Sequence, residues 1–404
     1  MKNFHPKNIL FALLTAFLLM FSFSCGGGGG ALIAGGGIDG TGIISTGIIA
    51  AFGSIFVNGS EFDTSNAVII VDGKELGIGD DVVLDNLDVG RLVTVEGSPG
   101  ADDESFVADR VIYSNNVDGP VQSITSIDAR TKEIIVMGQT VILNVNTEFK
   151  DTGFEAIALD DMVEVSGLYD DTGTIWATFI GKTGMFTPGL EVEVTGYVSN
   201  LDTGLKTFSI NALTVDYRSA DTSGLPDDLL TEEMLVEVDG RLDVTGGVLV
   251  AATIEPDDGL DAENADLIEI TGFVTKVAST TEFMVDGQVV IIDPEAVFVD
   301  GTREDITPGV KLEAEGSLVD SILYAWEIEF WEPDQVEVED VVTDIVSPAE
   351  FTVGDQLVQT DEHTVFDGGT PDDIEPGVLI EIKGVPTDID YSIIIADKVS
   401  FEEE

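Results

Sequence analysis

The chain has 404 residues, of which 77 are Asp or Glu and 17 are Lys or Arg, so its formal net charge at pH 7 is -60. A field of that sign repels phosphate backbones and anionic headgroups, which argues against nucleic acid as a partner and favours cations and basic proteins. The charge does not predict disorder, because 44% of the residues are hydrophobic and the β-branched ones recur in alternation.

Residues 1–24 predict a signal peptide. Lys2 and Lys7 form a basic leader, and a largely apolar run extends from Ile9 to Phe23. A helix that crosses a bilayer needs about 20 apolar residues, so this run is too short to span a membrane and suits the hydrophobic segment of an export signal. We therefore expect an exported protein.

Cys25 is the only cysteine, and it stands where the export signal ends. The Ser24-Cys25 junction followed by Gly26 resembles the lipobox of bacterial lipoproteins, although that family usually has Leu where this chain has Ser22. The resemblance implies acylation of Cys25, and a residue other than Asp after the cysteine implies an outer-membrane lipoprotein facing the periplasm or the cell surface. The alternative is an unpaired thiol in an oxidising compartment.

Residues 25–42 are rich in glycine and predict a flexible, lipid-anchored tether. Gly35, Gly37 and Gly40 spell G-x-G-x-x-G. A dinucleotide site needs this motif between a strand and a helix, and the β-branched stretch that follows does not begin a helix. We interpret the segment as a tether.

The rest of the chain repeats one unit. Five segments end in a β-branched, mostly acidic strand closed by glycine: "LDVGRLVTVEG" (87–97), "LDDMVEVSG" (159–167), "LTEEMLVEVDG" (230–240), "ITPGVKLEAEG" (306–316) and "IEPGVLIEIKG" (374–384). The closing glycines are Gly97, Gly167, Gly240, Gly316 and Gly384, so successive copies are 70, 73, 76 and 68 residues apart. Self-similarity at a fixed period is typical of repeat architectures.

Each copy predicts five short strands. A hairpin-like pair opens it, a third strand follows, and after the closing glycine comes a strand that carries an alanine, as in "FVADRVI" from Phe106. A unit of about 70 residues buries little core, and closing its sheet removes two exposed edges. We therefore predict an all-β fold, a tandem array of about five small antiparallel OB-like β-barrel units. The alternative is a sandwich array in which neighbouring repeats share strands.

The predicted domains follow from these copies. After the signal peptide and the tether come repeat 1 (43–116), repeat 2 (117–187), repeat 3 (188–264), repeat 4 (265–334) and repeat 5 (335–404). We expect no long helix, and we expect the five units to form a rod.

This pattern resembles bacterial proteins built from domain of unknown function 5666. The resemblance rests on the G-x-V-x-x-I opening, the V-x-V-x-G strand and the A-x-x-I strand, and it covers nearly the whole mature chain. It implies a fold and an envelope location, but no reaction.

Catalytic chemistry has few candidates in this sequence. After the leader the only histidine is His363, at a position where repeat 2 has Asn146, so we interpret it as an exposed loop residue. Paired carboxylates could hydrolyse glycosides, but adjacent acids such as Asp170 and Asp171 lie where Asp favours turns. Three tryptophans lie in or just after the alanine-carrying strands and predict packing: Trp176, Trp326 and Trp331.

One acidic stretch is a calcium candidate. The segment "EPDDGLDAENAD" (255–266) concentrates Asp257, Asp258, Asp261, Glu263 and Asp266 between repeats 3 and 4. Oxygen ligands in loops suit calcium, although EF-hand spacing is absent and a charged linker is the alternative. We predict no other cofactor.

We expect a non-enzymatic, lipid-anchored binding or scaffold protein of the cell envelope, with a glycan or a basic protein as its ligand. Five similar units favour avidity or reach over a single active site. Two alternatives stay open: a passive spacer without a specific ligand, and a carboxylate-dependent hydrolase of surface polysaccharide.

Overall fold

The structure is a computed structural model. It describes residues 42–52, 54–100, 105–243, 247–257, 264–331, 335–354, 356–361, 364–387 and 393–401. The described residues contain 30 strands, one short helix and three 3₁₀ turns. No described helix combines the length and the apolar character that a membrane crossing requires.

The strands fall into five groups along the chain. Repeat 1 contains β1 (Ile43–Phe52), β2 (Ile55–Val57), β3 (Ser60–Asp63), β4 (Val68–Val71), β5 (Lys74–Ile78), the helix α1 (Asp80–Asn86), β6 (Leu92–Pro99) and β7 (Ser105–Tyr113). Repeat 2 contains β8 (Val117–Ser126), β9 (Lys132–Val136), β10 (Gln139–Leu143), β11 (Glu148–Lys150), β12 (Asp161–Tyr169) and β13 (Ile175–Met185). Repeat 3 contains β14 (Glu191–Tyr197), β15 (Ser199–Asp202), β16 (Thr207–Ile210), β17 (Leu213–Asp216), β18 (Leu235–Leu242) and β19 (Val248–Pro256).

Repeats 4 and 5 continue the pattern. Repeat 4 contains β20 (Ala265–Ser279), β21 (Glu282–Val285), β22 (Gln288–Val299), β23 (Lys311–Val319) and β24 (Ile322–Trp331). Repeat 5 contains β25 (Val336–Ser347), β26 (Glu350–Val353), β27 (Gln356–Gln359), β28 (Val365–Asp367), β29 (Leu379–Pro386) and β30 (Ile394–Phe401). The 3₁₀ turns at Pro226–Asp228, Arg303–Asp305 and Pro371–Asp373 precede β18, β23 and β29.

Three strands recur under fixed names. The opening strands are β1, β8, β14, β20 and β25; the glycine strands, which contain the closing glycines, are β6, β12, β18, β23 and β29; the alanine strands are β7, β13, β19, β24 and β30. In repeat 2 the opening strand pairs antiparallel with β9, and β9 pairs antiparallel with β10. β10 runs parallel to the alanine strand, which pairs antiparallel with the glycine strand, and the glycine strand returns to the opening strand.

The same circuit closes the other four repeats, with β14 and β15 together forming the opening strand of repeat 3. The structure therefore confirms the all-β array of five OB-like units. Each barrel is antiparallel except at its alanine strand, which runs parallel to the third strand and, in repeats 1, 2 and 5, also to the short strand that follows the third. The parallel pairing of the third strand arises because the glycine strand intervenes along the chain, so the third and the alanine strands run in the same direction.

A bulge at the closing glycine recurs in every repeat. Gly97 lies opposite Ala108, and the register shifts between Glu96 and Gly97. The equivalent pairs are Gly167–Ala177, Gly240–Ala251, Gly316–Ala325 and Gly384–Ala396. A Cβ atom on Gly316 would lie 2.1 Å from the Tyr324 carbonyl oxygen, and at the other four glycines the corresponding distance is 2.3 or 2.4 Å. Only glycine therefore fits where the bulge bends the two strands.

Each barrel encloses its own apolar residues. The second strand of every barrel contributes one large side chain that is at most 1% exposed, namely Ile55, Ile134, Phe208, Phe283 and Phe351. Repeats 2 and 3 share one continuous core. Repeats 1, 4 and 5 each have a core of their own, although Ile44 of repeat 1 packs in the core of repeat 4 and Leu267 of repeat 4 packs against that of repeat 1.

The repeats do not form a rod, so that expectation is wrong. β1 pairs with β20 in parallel, which joins repeats 1 and 4 in one 12-stranded sheet, and β8 pairs antiparallel with β14, which joins repeats 2 and 3 in another. Inside its own barrel, the first half of β1 pairs with β6 alone, because β2 begins to pair only at Ile49. The other edge of this half is thus open to a strand of another repeat.

We predict that Gly316→Ala destabilises the protein through its clash with the Tyr324 carbonyl. The matched control is Gly184→Ala in β13, where a Cβ would meet nothing within 4 Å. Overpacking of this kind costs about 1–3 kcal/mol, so Gly316→Ala should lower the thermal unfolding midpoint by several degrees, whereas Gly184→Ala should leave it nearly unchanged. Circular dichroism measures the unfolding midpoints. Equal midpoints for the two variants would contradict the role of the bulge.

Candidate functional site

The calcium candidate of the sequence lies at the connection between repeats 3 and 4. Asp257 follows the end of β19, and Asp266 lies in β20. Asp258, Asp261 and Glu263 lie outside the described residues, as do Cys25 and His363. The calcium site at 255–266 and the lipid anchor therefore stay predictions.

The glycine strands carry acidic side chains on the face that points away from the core. In β18, Val236 and Val238 are buried, whereas Glu237 and Asp239 alternate with them and point outward. Glu164 in β12 and the pair Glu313 and Glu315 in β23 follow the same alternation. The acidic sequence motif thus forms a stripe along the outside of these barrels.

Where repeats 2 and 3 join, four carboxylates stand in register across four strands. Glu164 in β12 pairs with Asp118 in β8, and Asp118 pairs with Glu193 in β14. Glu193 in turn pairs with Asp239 in β18. Directly opposite residues share a face of the sheet, and like charges in this arrangement repel each other. The row therefore requires positive charge or protons.

Repeat 1 supplies a cation at one end of the row. Arg91 is 6% exposed, forms an ion pair with Glu164, and places Nη2 3.2 Å from Asp88 Oδ2. Its guanidinium carbon lies 4.4 Å from the centre of the Tyr113 ring and 4.6 Å from that of Phe179. Tyr113 Oη also donates to Glu164 Oε1 at 2.6 Å. Glu164 is thus neutralised by a desolvated, charge-assisted contact between two repeats.

The other end of the row has no equivalent ion pair. Among the described residues, no basic side chain forms an ion pair with Asp118, Glu193, Glu237 or Asp239. Arg241, which follows Asp239 by two residues in β18, instead pairs with the exposed Glu191 at 2.9 Å.

Three carboxylates converge at this end. Glu193, Glu237 and Asp239 each present an oxygen, and these oxygens lie within 4.8 Å of one another. Asn115, between β7 and β8, donates from Nδ2 to Glu193 Oε1 at 2.9 Å and to Asp72 Oδ1 at 3.3 Å. We define the junction cluster as Asp72, Asn115, Asp118, Glu193, Glu237 and Asp239. It combines side chains of repeats 1, 2 and 3.

Burial and mutual repulsion disfavour the ionised forms of these carboxyls. Burial, together with the charges of Glu237, Asp72, Asp239 and Asp118, raises the pKa of Glu193 to about 9. The same two causes raise the pKa of Asp118 to about 7 and that of Glu237 to about 7. The junction cluster therefore holds protons at neutral pH unless another cation replaces them.

Repeat 4 has carboxylates at the three matching positions. Glu269 pairs with Glu315 as Glu193 pairs with Asp239, and Glu313 stands opposite Thr271 as Glu237 stands opposite Thr195. Burial and neighbouring carboxylates raise the pKa of Glu269 to about 8 and that of Glu313 to about 7.

We call these two sets of three carboxylates the repeat 3 triad (Glu193, Glu237 and Asp239) and the repeat 4 triad (Glu269, Glu313 and Glu315). They differ in their hydrogen-bond donors. In repeat 4, Ser45 Oγ donates to Glu269 Oε2 at 3.1 Å, Thr271 Oγ1 donates to Glu313 Oε2 at 3.0 Å, and Trp326 Nε1 donates to Glu315 Oε1 at 3.2 Å. In repeat 3, Asn115 reaches Glu193, and Thr253 Oγ1 reaches Asp239 Oδ2 at 2.8 Å. The repeat 4 triad thus has a protein donor for every carboxylate, whereas no described donor reaches the Glu237 carboxylate.

The tryptophans mainly serve packing between repeats. Trp176 of repeat 2 contacts Phe273 of repeat 4, with ring centres 5.6 Å apart. Lys383 of repeat 5 lies 4.5 Å from the ring centre of Trp331 in repeat 4. These two contacts confirm the predicted packing role. Trp326 is 39% exposed, and its Nε1 donates a hydrogen bond to Glu315 of the same repeat.

Sequence reasoning missed the junction cluster. Its acidic strands are visible as "EVEVTG" (191–196) and "VEVDG" (236–240), and repeat 4 has the similar "LIEITG" (267–272) and "LEAEG" (312–316). What the sequence does not show is that Asp72 and Asn115 of repeat 1 lie against Glu193 of repeat 3, which is 121 and 78 residues further along the chain, respectively.

The fold and the cluster define the class of this protein: a tandem OB-like barrel protein whose repeats pack through acidic faces. The chain belongs to the family described as domain of unknown function (DUF5666), which matches it five times, at residues 41–112, 118–181, 195–255, 271–329 and 341–392. No curated protein matches the chain.

We predict that stability falls as the pH rises from 5 to 9 in the presence of a chelator. The pKa values of Glu193, Glu269 and Glu313 are raised in the folded state, so these carboxyls keep their protons at a pH at which the unfolded chain has lost them. The folded state therefore loses stability as the pH rises from the unfolded-state pKa values to these folded-state values. Glu269→Gln should be nearly neutral at pH 5 and should stabilise the protein at pH 9 by on the order of 2 kcal/mol.

The control for this prediction is Glu191→Gln, because the Glu191 side chain is 83% exposed. Its effect should be small and equal at the two pH values. Thermal unfolding of the three proteins across the pH range checks the prediction, and a midpoint that rises toward pH 9 would contradict it.

Proposed function

We propose that this protein is a lipid-anchored, non-enzymatic scaffold of the cell envelope that binds basic proteins through its acidic surface. The observation that supports this proposal most directly is that many of its basic side chains are held by its own carboxylates. The surface left to solvent is dominated by negative charge.

Three basic residues are almost fully buried. Arg91, Lys132 and Lys383 are 6%, 7% and 8% exposed, and each forms an ion pair with a carboxylate. Further ion pairs hold Arg110, Lys150, Lys182, Arg218, Arg241 and Lys398. In buried pairs of this kind, the positive charge is neutralised by a carboxylate of the same chain. That positive charge therefore does not offset the negative field outside the molecule.

The carboxylates, in contrast, extend into solvent. The side chains of Glu155 and Glu191 remain 82% and 83% exposed even though each has a basic partner. With a net charge of -60, the outer field attracts cationic surfaces and raises their association rate. Five similar repeats multiply such contacts, which increases avidity without a specialised pocket.

The membrane part of the proposal comes from the sequence. The apolar run before Cys25 suits an export signal, and the Ser24-Cys25-Gly26 junction resembles a lipobox. The glycine-rich segment up to residue 42 would then hold the barrels away from the membrane surface.

The non-enzymatic part of the proposal is supported by the cleft between repeats 1 and 2. This cleft has a volume of about 310 Å³ and is lined by Asp88, Val89, Glu148, Phe149, Lys150, Asp151 and Phe179. Lys150 Nζ donates to both Asp88 oxygens, at 2.8 and 2.9 Å, and Arg91 Nη2 reaches the same carboxylate. Both oxygens of this carboxylate are engaged by basic side chains of the protein, which leaves it poorly placed to take a proton from a substrate in the cleft.

We predict saturable binding of a basic protein and no binding of an acidic one. With the purified full chain in detergent, cytochrome c is the basic probe and serum albumin the acidic control. Because the attraction is electrostatic, affinity for cytochrome c should fall at least tenfold between about 0.05 and 0.3 M salt. Absence of binding at low salt would favour the passive spacer, and polysaccharide cleavage abolished by one carboxylate-to-amide change would establish the hydrolase.

We predict that Cys25 carries the lipid. Cells that express the wild type should incorporate labelled palmitate into the protein and retain it in the membrane fraction, whereas Cys25→Ser should lose both the label and the membrane association. A Ser219→Ala variant, at an exposed position of repeat 3, is the control and should keep both. Label on the Cys25→Ser protein would contradict the anchor.

A further inference from the structure

The junction cluster contains buried oxygen atoms without a donor. Asn115 is 4% exposed, and its side chain extends between Asp72 and Glu193, to which its Nδ2 donates. No described donor reaches Asn115 Oδ1 or Asp118 Oδ1, and both atoms are buried. A buried acceptor without a partner costs about 1–3 kcal/mol, so native proteins seldom leave one without a ligand or water.

The spacing of the carboxylates fits a single ion. Calcium binds oxygen ligands at about 2.3–2.6 Å, so two ligands of one ion lie at most about 5 Å apart. The oxygens of Glu193, Glu237 and Asp239 lie within 4.8 Å of one another. Each carboxylate also keeps an oxygen free of described donors, because Asn115 occupies only Glu193 Oε1 and Thr253 occupies only Asp239 Oδ2.

The charge of the surroundings also favours a divalent cation. Asp118 stands in register with Glu193, and Asp72 lies on the other side of Asn115. Burial and neighbouring carboxylates raise the pKa values of Asp118, Glu193 and Glu237, which shows that their negative charges are poorly compensated by protein groups. Two basic side chains near this junction pair with other carboxylates, Arg91 with Glu164 and Arg241 with Glu191.

We propose that Glu193, Glu237 and Asp239 of repeat 3 bind one calcium ion at the junction with repeats 1 and 2, beside Asp118 and Asn115. Calcium is favoured over softer metals because every ligand atom offered is a carboxylate oxygen, and over magnesium because magnesium usually keeps several waters and takes only one or two carboxylates. The acidic stretch at 255–266 adjoins this site, because Glu255 stands opposite Glu237 and the charge of Asp257 also acts on Glu237. The calcium site does not depend on the proposed binding of basic proteins.

The ion would neutralise the Glu193 end of the carboxylate row, as Arg91 neutralises the Glu164 end. At Glu164 a guanidinium from repeat 1 neutralises the row. At Glu193, repeat 1 offers the neutral amide of Asn115, which donates a hydrogen bond to Glu193, and the carboxylate of Asp72, so repeat 1 brings no positive charge to this end of the row.

The experiment is calcium titration by isothermal calorimetry of the full chain stripped with chelator. An acidic surface of this size binds many calcium ions weakly, so the comparison uses matched variants. Glu237→Gln and Asp239→Asn should each weaken the tightest site at least tenfold. The equivalent changes in repeat 4, Glu313→Gln and Glu315→Gln, should leave it unchanged, because Thr271 and Trp326 already serve those carboxylates.

Thermal unfolding gives a second readout that does not depend on counting sites. Calcium should raise the midpoint of the wild type and of Glu313→Gln, but not that of Glu237→Gln. Without calcium, Glu237→Gln should be at least as stable as the wild type, since it removes a repelling charge, so loss of calcium binding would not reflect misfolding. Equal effects of calcium on all variants, or magnesium binding as tight as calcium binding, would overturn the proposal.

Discussion

The fold depends on the close approach of each closing glycine to the backbone of the alanine strand. The two chains come so near that a Cβ would lie 2.1 to 2.4 Å from a carbonyl oxygen, and the bulge at this point bends both strands around the core. The bulge also fixes the register of the glycine strand. Residues one and three positions before the glycine therefore point outward, which is why Glu237 and Asp239, like Glu313 and Glu315, form outer stripes.

Packing of the barrels then converts these stripes into interfaces, and each interface has to compensate buried negative charge. Repeat 1 uses Arg91 against Glu164. The carboxylates of repeat 4 accept hydrogen bonds from Ser45 of repeat 1 and from Thr271 and Trp326 of repeat 4 itself. Repeat 5 places Lys383 against Glu329 and the Trp331 ring. These solutions differ in chemistry although the barrels are alike. The contacts, more than the barrels, thus distinguish one repeat from another.

The sequence predicts the barrel well because its signals are local. Gly240 and Ala251 are 11 residues apart, and the alternation in "VEVDG" (236–240) reports directly which side chains face the core. It does not predict the assembly, because β1 pairs with β20 more than 200 residues away, and no local pattern in Ile43–Phe52 specifies that partner. The junction cluster has the same limit, since Asn115 and Glu193 meet only after three barrels have folded and packed.

The proposed calcium ion lies where the acidic face of repeat 3 meets repeats 1 and 2. The most direct test is a crystal structure of the full chain grown with calcium, with anomalous scattering used to locate the ion. The account predicts a peak about 2.3–2.6 Å from oxygens of Glu193, Glu237 and Asp239 and none at the Glu269, Glu313 and Glu315 triad. Peaks at both triads, or only at exposed acids, would contradict it.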